Sequence, residues 1–295
     1  MRISRTFDDD GFVLLAEADP PKGPDLTRFA DNAMTVRDRV TAIAVTDCAH
    51  AIMRMTPLGP CRTLIERGLK PVMVINGRDR NRLSFQGDLL AAHALGVRDI
   101  LLREGRDPSI GDQPMVGRSG DLGLDLMLQC LAAFRNGRDL AGEPLDSPCA
   151  FRVGTYLNVS GDPAQNGRTI ENIGKLSGQG VEFFVPGPTY DPTVVEEFAS
   201  AAGAAGIRMF ASVMLLKSVA MIRYLNGLPG VSPIPDHILK RMMKAPDKVR
   251  CGMEIAAGFI RNASASCRGA LLVSVGWEPR IGEFPELLAL PEAEG

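Results

Sequence analysis

The sequence predicts an α/β protein, a single-domain (β/α)8 TIM barrel spanning residues 1–295, and three observations predict it. About eight short apolar runs rich in strand formers alternate with helix-patterned stretches, over a length typical of one such barrel. Polar residues cluster just past the ends of those runs, where a barrel gathers them at one mouth. The rival architecture, a doubly wound open sheet, more often carries a GxGxxG turn after its first strand, and none follows it here.

The first strand is 12–15 (FVLL), and Pro20, Pro21 and Gly23 break it after Glu17. Residues 25–34 read as a helix with Asp25 as N-cap. The second strand is 40–46, followed by Asp47 and a helix over 56–66 that tolerates Pro57 in its first turn. The third strand, 71–75, ends at Asn76 and Gly77, and a strongly helical stretch covers 81–95. The fourth strand, 99–102, leads into the loop 104–112 (EGRDPSIGD), whose Gly, Pro and Asp content suits a ligand-facing loop. A helix at 122–134, a strand at 150–157 ending at Asn158, a helix at 168–176 and a strand at 181–185 follow. Then come a helix at 193–205, a strand within 207–216, helices at 218–224, 235–244 and 248–261, and the eighth strand at 270–275.

The chain carries 33 Lys+Arg against 35 Asp+Glu, a formal net charge of −2, so no broad basic field exists to hold nucleic acid or a membrane surface. No apolar run is long enough to span a bilayer, and the N-terminus lacks the apolar segment of a signal peptide, which makes a cytoplasmic protein the expectation. The six Cys form no CxxC pair and read as reduced core or surface thiols; the three His sit in no ligand motif, so no metal is expected. The Met pairs Met53/Met55 and Met242/Met243 read as core filling on helices. Trp277 either stacks on a bound ring or caps the barrel mouth by packing. Apolar helix faces on a barrel exterior lead to the expectation of a homo-oligomer.

A carboxylate at the end of a buried first strand has little packing reason to be there, and chemistry sits at that position in barrel enzymes. Glu17 is therefore the leading catalytic candidate. Thr46, Asp47, Asn76, Arg78, Arg103, Asn158, Tyr190, Asp191 and Lys217 follow other strand ends. Solvation of a loop accounts for any one of them alone; their joint placement raises the functional reading.

Several blocks, in order, resemble the methylenetetrahydrofolate reductase family in its short bacterial form. They are AEADPPKGPD (16–25), AVTD (44–47), RMTPLGPCRTLIERGLKPVM (54–73), RDRNRLSFQGDLLAAHALGVRDILL (78–102), GDQP (111–114), EFFVPGPTYD (182–191) and YLNGLPGVSPIPDHIL (224–239). The resemblance implies a barrel that binds FAD at the strand C-terminal ends, takes hydride from NADH or NADPH, and reduces methylenetetrahydrofolate to methyltetrahydrofolate. It makes Glu17 the general acid, because the methylene bridge opens to an iminium ion only when a folate ring nitrogen is protonated. It places Thr46 and Asn172 against the flavin and Lys175 near its phosphates. Arg78, in the RDRNR block, meets phosphate or the folate tail, or forms a structural salt bridge.

Departures from the family pattern fall around the ring site. Arg106 stands where the family carries an Asp near the flavin's pyrimidine edge, with Asp107 as a substitute if the loop shifts by one residue. A cation there favours the anionic reduced flavin and makes it a poorer hydride donor. Gly187 aligns with the Gln that reads the pterin, Gly77 with a Cys, Val219 with an aromatic and Leu176 with a basic residue. Asn76, Arg103 and Asn158 join the expected cofactor contacts, and Gly187, Tyr190 and Lys217 the expected substrate contacts. Three readings stay open: a flavin-dependent reductase with a repacked pocket, a reductase with a changed carrier or no flavin, and a non-catalytic folate-binding partner of a methyltransferase.

Overall fold

The computed structural model describes residues 3–289 except Asp10, Arg106, Arg118, Ser119, Pro229, Trp277 and Glu278. Eight parallel strands pair in chain order and close on themselves: β1 (Val13–Ala18), β2 (Ala42–Val45), β3 (Pro71–Asn76), β4 (Asp99–Arg103), β5 (Arg152–Leu157), β6 (Phe183–Pro186), β7 (Arg208–Met214) and β8 (Gly269–Val273). Closure is made by β1 against β8, with Leu14 beside Ala270 and Ala16 beside Leu272. The helices are α1 (Thr27–Met34), α2 (Leu58–Glu66), α3 (Arg82–Ala94), α4 (Leu124–Arg135), α5 (Pro163–Glu171), α6 (Ile173–Gly178), α7 (Pro192–Ala204), α8 (Val219–Asn226), α9 (Asp236–Lys244), α10 (Lys248–Ala263) and α11 (Phe284–Ala289). The protein is a (β/α)8 barrel.

Each strand is buried on both faces, which is why the strands read as continuous apolar runs. Alternate residues split between two layers. Val13 and Leu15, Ala42 and Ala44, Val72 and Val74 pack inside the barrel, whereas Leu14, Ile43, Met73 and Ile75 pack against the helices. The N-terminal end of the barrel is plugged by Phe7, whose ring lies 5.8 Å from that of Phe183 and 6.1 Å from that of Phe210. Gly154 on β5 makes room for this plug: a Cβ there would sit 2.2 Å from the Phe183 ring.

Local chemistry moves several boundaries. The helix expected at 168–176 starts earlier, at Pro163, because Asp162 caps it by accepting the Ala164 N–H at 2.9 Å and Pro163 is preorganised for the first turn. It breaks at Asn172 into α5 and α6, which turns Ile173 and Leu176 into the core. Asp25 does not cap α1 directly; it accepts the Thr27 N–H at 2.8 Å one residue before the cap position, Leu26. Strand β8 ends at Val273, and Val275 adopts a positive φ of 47° beyond it. Each Met pair divides: Met242 is fully buried, while Met53 and Met243 are about half exposed, at 48% and 53%. All six Cys are free thiols.

Candidate active site

Strand alternation builds the mouth. The interior positions of β1, β4 and β5 continue from Leu15 to Glu17, from Leu101 to Arg103, and from Gly154 to Tyr156. These three side chains form one electrostatic group. The Arg103 guanidinium lies over the Tyr156 ring, 4.3 Å from its centroid, a cation–π contact. Burial pushes the Glu17 carboxyl from its ordinary 4.5 up to about 7; Asp19 adds to the rise and Arg103 opposes it. The Tyr156 phenol is also held well above its usual range, by burial first, with Arg103 pulling it down and Glu17 pushing it up. A carboxyl that titrates near 7 is protonated often enough at neutral pH to act as a general acid.

Two buried hydroxyls of the interior-facing positions, Tyr156 Oη and Ser212 Oγ, have no hydrogen-bond partner. Buried polar groups are paired in the great majority of cases, so these two mark places where a bound molecule can complete the count. Arg103 likewise donates no hydrogen bond to a described residue and is engaged face-on by Tyr156.

Around this centre the strand-end residues serve as scaffold. The Thr46 hydroxyl donates to Asp19 at 2.6 Å, which anchors a second carboxylate two residues beyond Glu17. Arg54 approaches Asp19 at 3.8 Å and donates to the Pro20 carbonyl at 2.9 Å. Asn76 sits beside Arg103 in register, yet its amide turns to Asp47: Nδ2 donates to the Asp47 carboxylate at 2.8 Å and to its carbonyl at 3.0 Å. Asp47 also accepts the Asn76 N–H at 2.9 Å and pairs with buried Arg80, which reaches on to Asp88 at 2.8 Å. Burial pushes the Asp47 carboxyl up, and Arg80 and the Asn76 N–H hold it down. Arg78 takes the salt-bridge alternative, with Nε donating to Asp79 at 2.6 Å.

The loop after β4 is sewn over its neighbours by Asp112 of the GDQP block. Asp112 takes Lys22 at 2.6 Å and the Met53 N–H at 2.8 Å, joining the loops that follow β1, β2 and β4. Under this loop Gly77 is required, because a Cβ there would meet the Leu122 carbonyl oxygen at 2.6 Å. The Cys that Gly77 replaces cannot be housed beneath Leu122. Cys48, His50 and Ala51, in the loop after β2, all hold left-handed φ values, 43°, 57° and 58°, which is where non-glycine residues store strain at a mouth.

The other expected site residues are dispersed. Asn172 and Lys175 lie outside the barrel: Asn172 donates to the Arg168 carbonyl at 3.1 Å and Lys175 pairs with Asp125 of α4 at 2.8 Å. Tyr190 is buried in the outer layer, where its hydroxyl donates to the Met214 carbonyl and its ring packs edge-on to Phe259, 5.5 Å away. It borders a cavity of about 560 Å³ among α7, α9, α10 and α11, away from the mouth. Gly187 extends the β5–β6 ladder, donating to the Leu157 carbonyl at 2.9 Å. Asn158 is exposed, and Lys217 donates to the Gly276 carbonyl at 3.0 Å. Asp107 accepts the Ser109 N–H at 2.9 Å; Arg106 and Trp277 lie outside the described residues. Sequence reasoning passed over Tyr156 and Asp19, although the period-two spacing from Glu17 to Asp19 was in plain view.

The ring end and the phosphate end of an FAD fare differently against these residues. Two orphaned hydroxyls and an unspent guanidinium suit the polar edge of a flat heteroaromatic ring. Lys175, which the resemblance assigns to the phosphates, and Asn172, which it assigns to the flavin, are both engaged within the protein itself.

The family model described as methylenetetrahydrofolate reductase matches residues 2–271. The chain belongs to the methylenetetrahydrofolate reductase family. A structure described as an uncharacterized protein from Clostridium thermocellum that binds two copies of 5-methyl-5,6,7,8-tetrahydrofolic acid is similar over 94% of each chain, with a TM-score of 0.61 at 9% identity. Tryptophan synthase from Mycobacterium tuberculosis is similar over 95% of this chain and 93% of that one, with a TM-score of 0.52 at 11% identity. At these identities the likeness concerns the fold alone. No curated protein matches the sequence.

Proposed function

We propose that the protein is a reductase of its family that takes a methylene-bearing reduced folate at the barrel mouth and donates a proton to it from Glu17. The observation that carries this reading is a Glu17 carboxyl raised to about 7 beside Arg103 and an unpaired Tyr156 hydroxyl. Protonation of a folate ring nitrogen opens the methylene bridge to an electrophilic iminium carbon, which then accepts hydride originating from NADH or NADPH. Desolvation leaves a large share of Glu17 protonated at neutral pH, and Arg103 stabilises the carboxylate left after transfer. FAD, when bound, supplies the relay of hydride from the nicotinamide nucleotide to the folate. Folate binding by the Clostridium thermocellum protein of similar fold supports the choice of substrate.

A second reading, a reductase that works without flavin, is favoured by the engagement of Lys175 with Asp125 and of Asn172 with its own helix. The experiment measures oxidation of NADH and NADPH with methylenetetrahydrofolate, with and without added FAD, in the wild type and in Glu17→Gln. Folate-dependent oxidation that Glu17→Gln abolishes supports the proposal, and its FAD requirement chooses between the two readings. Tight folate binding with no oxidation under any condition overturns both and leaves a folate-binding protein.

A further inference from the structure

The cavity of about 560 Å³ among α7, α9, α10 and α11 lies outside the barrel, and the chemistry at the mouth makes no use of it. Its size falls among those of small-molecule sites, roughly 300–1,000 Å³. Residues of α10 from Glu254 to Ala263 line it, so it runs about 14 Å along that helix. Much of its wall is apolar: Val195 of α7, Ile238 of α9, Ile255 of α10 and Leu287 of α11 are buried side chains that line it.

The far end of α10 brings a cation without a counter-charge to this wall. Arg261, in the last turn of the helix, lines the cavity and pairs with no carboxylate among the described residues. Its Nη1 donates to the Leu287 carbonyl at 2.6 Å. Its Nε is buried and has no hydrogen-bond partner. Its Nη2 lies 3.7 Å from where a Cβ on Gly258 would stand, and that Cβ would meet nothing else within 4 Å. Glycine is disfavoured inside a helix, and here its missing side chain leaves the cavity open beside the guanidinium. Two carboxylates line the cavity as well. Glu254 is taken by Arg250 at 3.1 Å and by Arg241 at 3.5 Å, and Glu196 stands exposed on α7.

The part of Arg261 left over has a defined chemistry. With Nη1 spent, Nε and Nη2 remain, and together they form an edge of the guanidinium that takes a carboxylate through two parallel N–H···O bonds. A buried donor without a partner is a standing cost that such an acceptor removes. We infer that this cavity is a binding site for an amphipathic carboxylate, whose apolar body lies along α10 and whose carboxylate meets the Nε and Nη2 edge of Arg261. A neutral apolar molecule would leave the guanidinium unpaired, and a small inorganic anion would leave the apolar wall uncovered. The site is separate from the mouth, so this inference stands independently of the folate reading.

The test is isothermal titration calorimetry on the full chain with octanoate and with octanamide, its neutral counterpart, for the wild type, Arg261→Met and Gly258→Leu. The wild type is expected to bind one octanoate per chain, about 10-fold or more tighter than octanamide. Arg261→Met is expected to bind the two alike. A residue that only held the Leu287 carbonyl would lower the Tm on replacement and leave the preference for octanoate in place, and that result overturns the inference. Gly258→Leu fills the cavity while keeping Arg261, and it is expected to lose both ligands; it supplies the second readout should Arg261→Met fail to fold. The inference is also overturned by a wild type that shows no saturable octanoate binding, by one that binds octanoate and octanamide equally, and by binding that Gly258→Leu leaves intact.

Discussion

Replacing Glu17 by Gln converts a pH-dependent cost into a constant one. The Glu17 carboxyl titrates at about 7 in the folded protein against an ordinary value of 4.5. The native state therefore holds the proton more tightly than the unfolded chain does. Stability contributed by this group is complete below about pH 4.5, declines as pH rises to about 7, and above that the buried carboxylate is a fixed penalty. At 1.36 kcal/mol per unit the penalty is about 3 kcal/mol, and partial access of the side chain to water at the mouth reduces it to about 2–3 kcal/mol. The amide of the Glu17→Gln variant carries no titrating proton and avoids it. The assay is urea unfolding of both proteins at a series of pH values from about 4.5 to about 8, comparing midpoints at constant m. The stability of Glu17→Gln relative to wild type should climb by about 2–3 kcal/mol over that range. A difference that stays flat with pH would mean that Glu17 is solvated like any surface carboxylate, and the argument for a general acid would lose its physical basis.

Three further outcomes follow from the same geometry. Asp19→Asn removes a negative charge beside Glu17, so the Glu17 carboxyl should titrate at lower pH and the alkaline limb of folate-dependent turnover should move the same way; an unmoved pH profile would show that Asp19 does not act on Glu17. Gly77→Cys places a Cβ 2.6 Å from the Leu122 carbonyl oxygen and should cost about 1–3 kcal/mol in urea unfolding, whereas an unchanged midpoint would mean that the loop after β4 moves aside freely. Arg80→Met leaves Asp47 buried beside Asn76 without its cation and should cost about 3–5 kcal/mol; adding Asp47→Asn should recover part of the loss, and additive losses in the double variant would argue against a coupled pair.

The barrel was legible because both faces of each strand are buried. Runs such as VTAIAVT (40–46) and ALLVSV (270–275) announce strands regardless of neighbours, and the helix-patterned segments between them leave few other topologies. Where a local motif governed a boundary, the pattern of apolar residues missed it. Asp162-Pro163 starts α5 and Asn172 ends it, and neither is an apolar signal. The last helix, α11, follows a 3-10 helix at Pro279–Glu283 and has no counterpart among the elements expected from the sequence.

The candidate site was legible only in part, for a reason of partners rather than positions. Thr46, Asn76 and Lys175 are polar residues at plausible places, but polar donors bind whatever acceptor is nearest. Asp19, Asp47 and Asp125 are those acceptors, and no linear pattern reveals which donor each of them takes. Tyr156 escaped notice because an aromatic in a strand reads as core, and its orphaned hydroxyl exists only once the barrel has closed around it.

By itself the sequence determined the eight-strand alternation, the family and the identity of Glu17 as the carboxylate at the end of β1. The alternation and the place of Glu17 follow from hydrophobic periodicity and local composition, and the family from the resemblance of sequence blocks in order; all three are properties of the linear chain. Tertiary structure decided the rest: that Arg103 and Tyr156 join Glu17 and that burial raises its carboxyl to about 7. Desolvation and charge coupling depend on distances across the barrel between residues far apart in sequence, and those distances exist only after β1 has closed against β8.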